Sequence, residues 1–284
     1  MDVIASANFV GQEIAFLDNE RFAHLSARGL FVYDTAKGPR EIVWRHDQGF
    51  QCFAVDWESG TTVYAGQLSS DSLEVVKTSE PHQSTFIQNP CKAAIIDLAV
   101  SREAEKLYGL SGNTDHKLSV WSLSTVPKLL VSQKLEIVCK KILVNPVDGN
   151  LACVYGADGF RLVSLHEVFG HISLKFSAVS SVRGSDGNRS ADLFDGDIAF
   201  ALWLPGNRVL VALADGELFE VRAEGLEAVS MGRLHDPALK GAKLDAPILP
   251  TCAVLTLSHV ILGTADGSVY WYPLQRLLSE PFAA

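Results

Sequence analysis

No pair of cysteines in this sequence is spaced Cys-x-x-Cys. The five present, Cys52, Cys91, Cys139, Cys153 and Cys252, are odd in number, so neither a zinc ribbon nor a complete disulfide frame is expected. Four lie in or beside strand-like apolar runs, where a free thiol behaves as a small buried hydrophobe. That usage suits a reducing compartment. No apolar run approaches the ~18 residues of a membrane span, and the opening MDVIASANFVG lacks the basic and long apolar regions of a signal peptide. A soluble protein of the cytoplasm is expected. Clustered basic charge is missing too. Lys and Arg number 24 against 33 Asp and Glu, a net charge of −9, and the densest basic pair, Lys140-Lys141, sits inside an apolar run. Phosphate backbones need clustered cations, so nucleic acid is excluded as the primary ligand.

The usual marks of chemistry are also absent. There is no Gly-rich phosphate loop, no G-x-S-x-G elbow and no H-E-x-x-H. His46-Asp47 has no nucleophile distinguished beside it, and Asp18-Asn19-Glu20 reads as a turn. The expectation is that there are no catalytic, cofactor-binding or metal-binding residues and no small-molecule substrate. A propeller hydrolase would need carboxylates or histidines on the inner strands of several blades. Asp56, Asp97 and Asp197 are the thin set available.

What the sequence has is repetition. With 48% hydrophobic and 20% charged residues in 284, the chain is folded. Three stretches share one pattern: VYGADGFRLVSL at 154–165, VALADGELFEVR at 211–222 and GTADGSVYWYPL at 263–274. In each, Ala-Asp-Gly precedes an apolar run. The dipeptide makes a hairpin turn, with Gly where the backbone needs positive φ. Aligning the runs on their last positions yields six units, ending at Tyr33, Val76, Trp121, Ser164, Val221 and Tyr272. Spacings of about 40–45 residues with strands throughout are the signature of propeller blades. The two longer spacings hold polar insertions, 181–197 and 234–247.

The expected fold is therefore all-β: a single β-propeller domain over 1–284. Its units run over 9–48, 49–90, 91–135, 136–180, 194–237 and 244–284. Each is four-stranded except the last, where LQRLLSEPFAA after Pro273 reads as a short helical tail instead of an outer strand. Outer strands are expected at 41–46, 84–89, 128–134 and 171–176. Six blades close the ring with residues 2–6, or the six form part of a seven-bladed ring completed by further chain or a partner. Third strands apolar on both faces, such as Val269 with Tyr270 and Trp271, are expected to pack against a neighbour on either side.

The unit resembles the WD-repeat family. Tyr33-Asp34 and Trp121-Ser122 stand where that family has Trp-Asp, and Asp115, Asp158, Asp215 and Asp266 stand at its turn aspartate. The family's Gly-His occurs once, as Gly170-His171, and in an outer strand. A narrower likeness lies in GQEIAFLDNERFAHLSARGLFVYDT, IIDLAVSREAEKLYGLSGNTDHKLSVWSL, FALWLPGNRVLVALADGELFEV and AVLTLSHVILGTADGSVYWY. These are similar to blades of the large cilia- and flagella-associated WD-repeat proteins, the dynein-arm tether and tether-head group. Members of that group are longer, with further blades and a coiled coil. The resemblance implies a non-catalytic scaffold in the ciliary or flagellar axoneme, with axonemal or dynein-arm proteins as partners. The residues fit a general scaffold of a vesicle coat or of ribosome assembly nearly as well.

Within the insertion, GSDGNRSADLFDGD at 184–197 carries oxygen ligands at spacings like those of a calcium loop. Ala191 stands where that loop needs Gly, and Asp197 stands where it needs Glu. The reading is a solvated inter-blade loop and a candidate partner contact through Arg183, Asp186, Arg189 and Asp192. Of the five tryptophans, Trp44, Trp57, Trp121, Trp203 and Trp271, each falls in or at the end of a strand. Each serves either blade packing or an interface.

Overall fold

The computed structural model describes residues 14–16, 21–26, 29–34, 38–45, 50–55, 62–67, 72–77, 80–101, 105–112, 114–123, 127–182, 189–190, 194, 197–233 and 248–275. They form β-strands that pair with their sequence neighbours. β1 (Ile14–Phe16), β2 (Arg21–Ser26), β3 (Gly29–Asp34) and β4 (Gly38–Arg45) make a first antiparallel sheet in that order. β5 (Phe50–Val55), β6 (Thr62–Gln67), β7 (Ser72–Lys77) and β8 (Glu80–Gln88) make a second. The third comprises β9 (Ile95–Val100), β10 (Lys106–Ser111), β11 (Lys117–Ser122) and β12 (Lys128–Lys134). The fourth follows the same order, through β13 (Lys141–Val144), β14 (Leu151–Gly156), β15 (Gly159–Val168) and β16 (His171–Ser177). The expected outer strands coincide with parts of β4 and β8, with β12, and with most of β16.

The fifth sheet departs from the pattern. β19 (Ile198–Leu204), β20 (Arg208–Leu213), β21 (Glu217–Arg222) and β22 (Glu227–Arg233) form the familiar meander. Two short strands from the insertion, β17 (Ser180–Val182) and β18 (Arg189–Ser190), extend it to six in the order β18-β17-β22-β21-β20-β19. β17 runs parallel to β22, with Ser180 opposite Glu227 and Val182 opposite Val229. The segment expected as a solvated loop is thus strand in part. The reason is an open edge: an outer strand exposes unpaired N–H and C=O groups, and β17 covers those of β22. The last sheet has three strands, β23 (Pro250–Leu255), β24 (His259–Thr264) and β25 (Val269–Pro273).

Small meander sheets of this kind, repeated along the chain, constitute an all-β, propeller-like fold. The repeat extends to single hydrogen bonds. Near the end of the third strand, an N–H donates to the carbonyl just before the second strand in sheet after sheet. It does so from Leu123 to Glu105 at 2.7 Å, Leu165 to Asn150 at 2.8 Å, Ala223 to Asn207 at 3.1 Å and Leu274 to Ser258 at 2.8 Å. The Asp-Gly turns join second and third strands, and their glycines have positive φ: 117° at Gly159, 90° at Gly216 and 83° at Gly267. That region is open to Gly at little steric cost.

The chain divides into two compact units. One takes Met1–Glu136, Lys140–Leu151 and Leu165–Leu174; the other takes Ile137–Cys139, Ala152–Ser164 and Lys175–Ala284. In the first, Cys52, Ala54, Leu73 and Ile87 of the second sheet bury against Ile95, Leu98, Leu107 and Trp121 of the third. The Cys52 thiol donates to the Ile95 carbonyl at 3.4 Å. In the second unit, Phe200, Leu204, Leu210, Ala212 and Leu218 of the fifth sheet pack against Val260 and Leu262 of the last, with Tyr270 and Tyr272 alongside. Apolar side chains facing one another from adjacent sheets are what burial at about 25 cal/mol per Å² favours.

Candidate interaction surfaces

The turn aspartates are the first residues the fold organises. Asp115 stands between β10 and β11, and its carboxylate accepts the backbone N–H groups of Lys92 and, at 3.1 Å, Ala93. Those two residues lie in the connection that enters the third sheet. Asp158, one sheet on, accepts the N–H of Val138 at 3.1 Å, again in the entering connection. Asp215 and Asp266 work differently. Asp215 accepts the N–H of Glu217 at 3.1 Å and pairs with Arg233 at 2.9 Å. Asp266 accepts the Thr264 hydroxyl and, at 3.0 Å, the N–H of Ser268. Backbone N–H donation, Ala93's first, holds the Asp115 carboxyl below the ordinary carboxylate range, and the Thr264 hydroxyl does so first at Asp266. These carboxylates are committed to backbone and have a structural role.

Of the three carboxylates weighed for a channel site, two are among the described residues. Asp97 on β9 is buried and bound: Lys141 donates to it at 3.1 Å and the N–H of Ile142 at 2.7 Å. It tethers the first strand of the fourth sheet to that of the third. Asp197 is exposed at the start of β19, and Asp56 lies outside the described residues. Among the described residues, no group of three or more His, Cys, Asp or Glu side chains is placed to hold a metal.

Of the candidate partner contacts, Arg183, Asp186 and Asp192 lie outside the described residues. Arg189 is in β18, opposite Val182 of β17. It belongs to the strip laid along the outer edge of the fifth sheet. The tryptophans divide. Trp121 and Trp203 are buried, and the Trp121 indole N–H donates to the Gln88 carbonyl at 3.3 Å. Trp44 is in β4, and Trp57 lies outside the described residues.

Trp271 differs. The expectation that both faces of the last third strand pack against neighbours does not hold: Val269 is 57% and Trp271 64% exposed. The last sheet presses one face, with Tyr270 and Tyr272, on the fifth sheet and leaves the other in solvent. On that open face Val254 lies opposite Ile261, and Ile261 opposite Trp271. A second row sets Cys252 opposite Gly263 and Gly263 opposite Val269. A Cβ at Gly263 would stand 2.7 Å from the Cys252 Sγ, so the thiol occupies the space above the glycine. His259 meets the Trp271 ring edge-on, centroids 6.3 Å apart. No Asp, Glu, Lys or Arg belongs to these two rows. Sequence reading missed this face because VYWYP reads as apolar throughout; only the packing partner separates its two sides.

No family model matches the chain, and no curated protein does. Solved structures do. A chain of the hydrazine synthase of Kuenenia stuttgartiensis superposes with a TM-score of 0.65 at 12% identity, over 99% of this chain and 81% of that one. A chain from a crystal structure of a mitotic checkpoint complex superposes with a TM-score of 0.62, also at 12% identity, over 92% of this chain and 73% of that one. At such identity the likeness concerns fold. It agrees with the propeller-like architecture read from the sheets.

Proposed function

We propose that the chain is a non-catalytic scaffold that binds other proteins. One observation carries this reading: the open face of the last sheet sets Val254, Val269 and Trp271 in solvent on a sheet whose other face is packed. Large exposed apolar side chains grouped on a firm support are the usual anchors of protein interfaces, with Trp prominent among them. Among the described residues, Asp97, Asp115, Asp158, Asp215 and Asp266 are engaged with backbone N–H groups, a hydroxyl or cations.

The finer reading is a structural subunit of the ciliary or flagellar axoneme, part of the cytoskeleton, that tethers a dynein arm. Its support is the resemblance of the blade sequences to the axonemal WD-repeat proteins. An acidic chain suits basic or mixed partner surfaces better than acidic tubulin tails. Six blades with an incomplete last one, or six of seven, are both compatible with this role. The test is localisation of tagged full-length protein in a ciliated or flagellated cell before and after detergent extraction. Retention along the extracted axoneme supports the axonemal role, and a diffuse or vesicular signal overturns it. The scaffold reading itself is tested by Trp271→Ser and Val254→Ser. Loss of co-purifying partners with an unchanged melting temperature supports it, and unchanged partners count against this face.

A further inference from the structure

The hairpin that ends the third strand of the fourth sheet reaches beyond its counterparts. β15 has ten residues, while β11 and β21, in the same place in their sheets, have six each. Leu165 marks the level at which the other third strands stop, since its N–H makes the recurring bond to the Asn150 carbonyl. His166, Glu167 and Val168 carry the ribbon on from there, about 10 Å further at ~3.3 Å per strand residue. At its tip Phe169 and Gly170 have φ of 51° and 79°. Two consecutive positive-φ residues are those of a type I′ hairpin, whose first position suits Asn, Asp or Gly. Phe is disfavoured there by its own backbone, and it is also fully exposed, at 100%. Both the turn and the solvent oppose the residue present, which points to a use outside the fold.

The tip is not alone. The turn between β13 and β14 emerges at the same end of the sheet, and there Val147 is 80% exposed; Val168 beside the tip is 58% exposed. This turn is held in place from several sides. Asn145 Oδ1 accepts the N–H groups of Val147 at 2.8 Å and Asp148 at 3.1 Å. Asp148 Oδ1 accepts that of Asn150 at 2.9 Å. The Tyr108 hydroxyl donates to the Gly149 carbonyl at 2.7 Å. Val147 is therefore presented in a set position, so docking would cost it little conformational entropy. Acidic residues adjoin two of these apolar side chains: Asp148 follows Val147 and Glu167 precedes Val168.

We propose that Val147, Val168 and Phe169 form a docking knob that enters an apolar, basic-rimmed pocket on a partner protein. The proposal rests on the scaffold reading and names the surface it uses. The acidic neighbours and the net charge of −9 favour a basic rim over an anionic membrane surface.

The test places p-benzoylphenylalanine at position 169 of the full chain, and separately at position 271, for photocrosslinking in extract of its native cells. The protein crosslinked at 169 is then purified and its binding measured to wild type, Phe169→Asn and Val147→Ser. The expected result is one defined protein adduct at 169 whose affinity falls roughly tenfold or more with Phe169→Asn. Binding should also weaken as salt rises. The melting temperature of Phe169→Asn should hold or rise, because Asn accepts the left-handed turn. The proposal is overturned by a lipid adduct at 169, by equal binding of Phe169→Asn, or by a fall in its melting temperature, which would make Phe169 structural. A protein adduct at 271 with none at 169 overturns the knob and leaves the scaffold standing; no adduct at either position counts against both.

Discussion

Asp115 accepts the backbone N–H of Ala93 at 3.1 Å, so the turn between the second and third strands of a sheet clamps the connection by which the chain enters that sheet. Asp158 repeats this with Val138 in the next sheet. A carboxylate bound to N–H donors is favoured in its charged form, which is why the Asp115 carboxyl lies below its ordinary range. The clamp links chain segments 22 residues apart in the third sheet and 20 in the fourth. It does in each case what hydrogen bonds within a single hairpin cannot.

Acid should therefore weaken the protein through these turns. A carboxyl whose folded pKa is lowered adds stability that is complete above its unfolded value, near pH 4. That stability is lost as pH falls through the lower folded value. Asp115 and Asp266 both act in this direction. The melting temperature should fall on acidification below about pH 4, with a shallower slope in Asp115→Asn. Equal slopes in the two proteins would show that Asp115 is not among the titrating groups that matter. Hydrogen exchange at residues 92–93 should quicken in Asp115→Ala.

Trp121 and Gly109 are matched to one another across β10 and β11. A Cβ at Gly109 would stand 2.8 Å from the Trp121 Cζ3, and the indole is buried at the seam of the second and third sheets. Gly109→Ala should cost about 1–3 kcal/mol by overpacking, and Trp121→Ala about 3–5 kcal/mol by the cavity it leaves. The two are neighbours, so their effects should not add. The double variant, in which the alanine methyl finds the indole gone, should be less destabilised than the sum. Denaturant melts of all four proteins supply the cycle, and strict additivity would contradict this packing.

The Asp-Gly turns were legible because their cause is local: Gly159, Gly216 and Gly267 need positive φ, and the dipeptide announces it. The meander followed, since each strand pairs with its neighbour in sequence. β17 was not legible. Ser180 pairs in parallel with Glu227, 47 residues away, and no local pattern carries that choice. Nor could Val269 and Trp271 be separated from Tyr270 and Tyr272, because an apolar strand with one packed face has the same composition as one with two. Phe169 was hidden for another reason: Phe-Gly is an unfavourable way to write its turn, so turn chemistry did not flag it. The candidate contacts of the insertion depended on charge pattern, and only Arg189 lies among the described residues.

Asp97 ties β9 to β13 through Lys141 and the N–H of Ile142. The carboxylate is buried while the Lys141 side chain is 40% exposed. The N–H donor should matter more than the ion pair, because a cation near water is screened whereas a buried amide left unpaired is not. Asp97→Ala should cost about 1–3 kcal/mol, and Lys141→Ala clearly less. Unfolding curves for both variants check the order, and a larger loss for Lys141→Ala would reverse the assignment.

The five thiols should report on the open face. Cys52, Cys91, Cys139 and Cys153 are buried, and Cys252 is exposed. Burial pushes the Cys139 thiol up to about 12, so it has almost no thiolate at neutral pH and should be inert. Native protein treated with a maleimide near pH 7.5 should take up one label quickly, at Cys252, and the other four only on unfolding. Mass spectrometry of digests would locate it. Because Cys252 shares a row with Gly263 and Val269, a protein docked on the face of Val254 and Trp271 should slow this labelling. Slow labelling that Trp271→Ser restores to the rate of the free chain would mean that the partner covering Cys252 is held through Trp271. Unslowed labelling with the partner bound would assign binding to another surface.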